Sequence, residues 1–114
     1  MGWASHMASY LLIESRDPFE SADVGFSQDL ARRLAAAGNE VTLFLVQNGV
    51  MPARAGAVAP KFGELAQAGV EILADDFSLR ERGIRPDRLQ LGVKPSALNL
   101  VIDRLAEDAK AIWH

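Results

Sequence analysis

Three apolar runs constrain the fold more than anything else in this chain: YLLIE at 10–14, EVTLFLV at 40–46 and VEILA at 70–74. In each run apolar residues follow one another with little of the polar alternation of a half-exposed strand, which is the pattern of strands buried on both faces of a parallel sheet. Between the first two, Val24, Leu30, Ala31, Leu34 and Ala35 put one apolar stripe on a helix that Gly38 and Asn39 should stop. The chain therefore opens β-α-β. QNGVMPARAGAVAP at 47–60 predicts a long loop or a loop with a short helical turn, KFGELAQAG a brief helix ended by Gly69, and DFSLRER a short helix after the third run. LQLGV at 89–93 reads as a strand or an extended segment. Pro95 suits the first position of a last helix, whose expected buried face is Ala97, Leu98, Val101, Ile102, Leu105 and Ala106. AKAIW at 109–113 then closes the sheet. Strands alternating with helices in this order predict one three-layer α/β domain, a mainly parallel five-stranded sheet with helices on both faces.

Composition agrees with a single core. The 114 residues are enough for one ordinary domain, and 49% hydrophobic against 24% charged residues is the balance of a folded chain rather than a disordered one. A net charge of -3 leaves no electrostatic footprint for nucleic acid. With neither a long apolar run nor a signal-peptide pattern, a cytoplasmic protein with no membrane or nucleic-acid partner is expected. MGWASHM resembles a vector-derived leader, so residues 1–6 are assigned to a leader and 7–114 to the domain. His114 is then the sole histidine, and the chain has no cysteine at all. Thiol nucleophiles, disulfides, thiolate metal sites and persulfide carriage are excluded for this chain alone, and His-dependent triads and zinc sites lose their ligands. No cofactor or metal is expected.

Ligands of open parallel sheets gather at the carboxyl ends of the strands, where loops 15–23, 47–52 and 75–78 should meet. Candidate ligand-binding residues there are Asp17, Asn48, Gly49, Asp75, Asp76 and Phe77, with Arg82 a turn further on. Asp75 and Asp76 allow two readings. One caps the helix that follows, accepting the free N–H groups of its first turn. The other is an acid pair for Mg²⁺ or general acid-base chemistry, with Asp17, Asp23 and Glu14 converging on it. NGVMP at 48–52 and Lys94-Pro95 echo phosphoacceptor receiver domains, but Asn48 would stand at the phosphorylated position and the acidic pair ends the wrong strand. Arg80, Arg82, Arg85 and Arg88, mixed with Glu81, read as a solvated face or an anion or partner patch. No glycine-rich phosphate cradle is present, and SRDPFES lacks the glycine of a flavodoxin-like phosphate loop.

YLLIESRDP with the helix after it, GNEVTLFLVQNGV, and above all GVEILADDFSLRERGI at 69–84 resemble the DsrE/DsrF/TusD family of sulfur-relay proteins over nearly the whole chain. The resemblance implies a DsrE-like α/β fold, flavodoxin-like in outline, assembling into trimers or hexamers, either of this chain or with cysteine-bearing DsrE-like subunits. It also implies a persulfide-carrying cysteine at the end of the third strand, eight residues before the glycine of Arg-Gly. Counting back from Gly83 reaches Asp75, so a carboxylate stands at the cysteine position, and Asp76 is expected to be the cap. A carboxylate cannot attack or release sulfur as a thiolate does. The expectation is a cysteine-less accessory subunit of a sulfur-relay or sulfur-oxidation system, with no catalysis by this chain alone. The alternatives are a small-ligand-binding protein using the former cysteine site, or a carboxylate or metal-dependent enzyme around Asp75 and Asp76.

Overall fold

The three apolar runs form the central strands, β1 (Ser9–Glu14), β2 (Glu40–Leu45) and β3 (Val70–Asp75). The structure, a computed structural model, describes residues 8–17, 24–57 and 62–114. The leader expected at 1–6, and Asp23 with most of the first loop, lie outside the described residues. Helix α1 (Val24–Ala36) links β1 to β2 and stops where the Gly38 and Asn39 N–H groups bond back to the Ala35 and Leu34 carbonyls. A 3₁₀ helix (Gln47–Ala53) follows β2, α2 (Phe62–Gln67) leads into β3, and α3 (Asp76–Glu81) leaves it. Strand β4 (Val93–Ser96), α4 (Asn99–Ala106) and β5 (Lys110–Trp113) complete the chain.

All five strands are parallel, in the order β4-β3-β2-β1-β5. That order distributes the helices. Crossovers between parallel strands are right-handed, so three steps in one direction, β1 to β4, put their helices on one face, and the return from β4 to β5 puts α4 on the other. The alternation of side chains along the strands shows both faces. Leu12, Leu43, Leu45, Ile72 and Ala74 pack in one cluster with Ala31 of α1, Phe62 and Leu65 of α2, Val50 and Ala53 of the 3₁₀ helix, and Leu79 of α3. Leu11, Ile13, Phe44 and Leu73 form a smaller cluster with Val101 of α4.

Two expectations are corrected at the end of the chain. LQLGV is not the fourth strand: only Val93 of it belongs to β4, while Leu89 makes an isolated antiparallel bridge with Arg54. Pro95 does not start the last helix either. It lies inside β4, paired with Ala74, and an edge strand tolerates proline because one side of its backbone needs no partner. Helix α4 begins four residues later, and of its expected buried face only Val101 is buried. Leu98, Ile102 and Leu105 are 58%, 60% and 45% exposed. Among the described residues no helix is long and apolar enough to cross a membrane.

Candidate functional site

Where β3 hands over to α3, Asp75 takes the cap. Its backbone is extended (φ -62°, ψ 123°), and its Oδ2 accepts from the Ser78 N–H at 3.0 Å and the Ser78 hydroxyl at 2.7 Å. This corrects the assignment of the cap to Asp76, which is the first helical residue and half-buried. The reason is geometric: a cap needs non-helical dihedrals and a side chain three residues before its donor, and only Asp75 has both. At the other end, the Ile84 N–H bonds to the Leu79 carbonyl and the Gly83 N–H to the Arg80 carbonyl, with Gly83 at φ +66°. Buried Ile84 and Leu79 share the larger core cluster, as in the Schellman ending of a helix. The eight-residue spacing from Asp75 to Gly83 is therefore the length of one helix with both caps.

Ser78 joins this corner to the loop after β2. Its hydroxyl, buried, donates to Asp75 and accepts the Gln47 N–H at 2.8 Å. Gln47 has φ +55°, a left-handed conformation unusual for a residue with a side chain, and the Ser78 bond holds it there. The next residue, Asn48, accepts from Arg82 Nε and Nη2 at 3.2 and 3.1 Å, while Arg82 Nη1 donates to the Ser78 carbonyl at 3.3 Å. Gly49 is buried against the end of β1, where a Cβ would overlap the Glu14 carbonyl oxygen. Only glycine lets the 3₁₀ helix approach the sheet so closely.

The candidates are thus brought together in part. Asp75, Asn48, Gly49 and Arg82 meet around Ser78 and Gln47, whereas Phe77 is 58% exposed on the outside of α3. Asp17 is buried at the end of the first described segment. The Glu14 carboxylate is engaged elsewhere: it accepts the Arg16 N–H and lies 2.9 and 3.0 Å from His114 Nδ1. His114 itself prolongs β5 along β1, donating to the Ile13 carbonyl and accepting from Ser15. Among the described residues no group of three or more His, Asp or Glu side chains is arranged to hold a metal, and no buried side-chain polar atom lacks a partner. Sequence reasoning missed Ser78 as the hub. The Asp-x-x-Ser spacing at the start of α3 was its one available signal.

A cavity of about 440 Å³ lies at the opposite, amino end of the strands. Tyr10, Glu40, Thr42, Glu71, Arg104 and Glu107 are among its walls. Arg104 donates to the Thr42 hydroxyl and, at 2.8 Å, to Glu71 Oε1, which also accepts the Thr42 hydroxyl proton at 3.0 Å. None of the carboxyl-end candidates lines it.

An open sheet of five parallel strands, with a doubly capped short helix after the third, defines a small α/β protein whose carboxyl-end corner is built on Asp75 and Ser78. Residues 8–113 match the DsrE/DsrF-like family, and the chain belongs to that family. The fold is similar to that of the protein of unknown function MTH1491 from Methanobacterium thermoautotrophicum, with a TM-score of 0.80 at 22% identity over 95% of this chain and 99% of that one. It is also similar to the ychN protein from E. coli, with a TM-score of 0.78 at 19% identity over 95% of this chain and all of the other. No curated protein matches the sequence.

Proposed function

We propose that this chain is a cysteine-less accessory subunit of a cytoplasmic sulfur-relay or sulfur-oxidation system, docking with cysteine-bearing family subunits instead of carrying sulfur itself. One observation carries the reading: Asp75, at the position where the family resemblance puts the persulfide cysteine, is committed to capping α3 through Ser78. The cap keeps the corner in shape without a thiol. A carboxylate there offers no sulfur that can form or release a persulfide bond. Such a subunit would work in an assembly, as a homo-oligomer or beside related chains, and supply shape and surface rather than a reacting group.

The test is to load a purified cysteine-bearing family subunit with persulfide from inorganic polysulfide, add this chain, and follow both by native mass spectrometry. The expected result is a complex in which all persulfide sulfur stays on the partner. Sulfur found covalently on this chain, or no complex, would refute the reading. The amino-end cavity favours a second reading, a small-ligand-binding protein whose ligand meets Arg104 and Thr42.

A further inference from the structure

The thinly covered face of the sheet gives up its apolar character at one place. Thr42 and Glu71 interrupt the runs EVTLFLV and VEILA, stand opposite each other in the β2–β3 register, and meet Arg104 of α4. Thr42 is buried, and its hydroxyl accepts from Arg104 while donating to Glu71. Held by Thr42 and Glu71 together, the guanidinium is fixed in its plane. Such a network needs no hollow beside it, yet the amino-end cavity of about 440 Å³ adjoins it. Leu11 and Ala109 give that cavity an apolar wall continuous with the smaller core cluster. Its polar walls keep bonding capacity of both signs. Arg104 spends only part of its five N–H donors on Thr42 and Glu71. Among the described residues the Glu107 carboxylate has no partner, and Glu40 has the Ser9 hydroxyl at 3.3 Å.

We infer that this cavity binds a small zwitterion of the amino-acid class, with its carboxylate on Arg104 and its ammonium toward Glu40 and Glu107. The inference rests on the ligand-binding reading and names the ligand. The charges of the walls select it. A dicarboxylate would meet Arg104 but also face Glu40 and Glu107, and a diamine would satisfy the two acids but face the guanidinium; in either case like charges are brought together away from bulk water. A ligand carrying both charges matches both walls. The planar fork of Arg104 suits a carboxylate, which can accept two of its N–H groups at once. Glu107 is the C-cap of α4, so an ammonium beside it also meets the negative end of the helix dipole. The wall of Leu11 and Ala109 favours an aliphatic side chain on the ligand over a charged one.

Three probes separate the charge classes: L-leucine as the zwitterion, putrescine as the dication and succinate as the dianion. Each is titrated into the isotope-labelled chain and followed by its backbone amide NMR signals. L-leucine at millimolar concentration should move the signals of Thr42, Glu71 and Ala109, and neither of the others should. Arg104→Met removes a charge-assisted contact and should weaken L-leucine about tenfold or more. Glu40→Gln combined with Glu107→Gln, both at exposed positions, should weaken L-leucine and admit succinate, and this variant tests the site even where Arg104→Met fails to fold. Putrescine or succinate moving those signals while L-leucine does not would overturn the zwitterion and leave the ligand-binding reading standing. No movement with any of the three would overturn both. Undiminished L-leucine binding in a folded Arg104→Met, or in the double variant, would overturn the assignment of its two ends.

Discussion

The two faces of the sheet are built from the same strands and end differently. On one, Leu12, Leu43 and Ile72 lie under α1, α2, α3 and the 3₁₀ helix, whereas on the other, among the described residues, Leu11, Phe44 and Leu73 have α4 alone, with Thr42, Glu71 and Arg104 at the amino end of the strands. The cause is the strand order. Three crossovers in one direction and a single return assign the helices unequally, because each must be right-handed. An apolar strand run announces that both its faces are to be buried, but says nothing about whether the cover comes from the same chain. Here the well-covered face is a finished core, and the thinly covered one ends in an apolar helix surface.

The contrast can be broken by mutation. Phe62→Ala empties the fully buried centre of the thick face and should cost about 3–5 kcal/mol, against about 1–2 kcal/mol for Val101→Ala under α4, both read by urea denaturation at dilute concentration. Equal losses would mean that the thin face is as tightly built as the thick one. A smaller effect separates the helices themselves. Helix α3 has a side-chain cap and α4 has none, its N-cap residue being Leu98. Asp75→Ala should therefore cost about 1–2 kcal/mol and Asp76→Asn about 0.5 kcal/mol, and the reverse ranking would return the cap to Asp76. Comparably small is Arg104→Met. Its ion pair with Glu71 is a partly exposed one, so the loss should stay below about 1 kcal/mol, and a larger thermal shift would show that the amino-end network holds the thin face together.

Much of this was legible in the chain itself. β1, β2 and β3 announce themselves as apolar runs, and α1 by its stripe from Leu30 to Ala35, because burial leaves a pattern no solvated segment shows; β5 was read from AKAIW although all four of its residues are exposed. The fourth strand was hidden. VKPS contains a lysine, a proline and a serine, and it is a strand because β3 offers a free edge beside it. Pro95 fits a helix start by local rules, and the sheet edge overrode them. The candidate site divides in the same way. That an aspartate caps α3 follows from its neighbours in sequence, but that Ser78 reaches Gln47, 31 residues away, and that Arg82 reaches Asn48, 34 away, does not.

By itself, then, the sequence determined the class of fold and the absence of any sulfur nucleophile, since these depend on residue type and short-range pattern. Tertiary structure alone decided that Pro95 lies in a strand, that Ser78 reaches Gln47, and that the apolar stripe of α4 looks outward. Those outcomes depend on which strand edge is free and which face each crossover reaches, and such long-range geometry leaves no local trace.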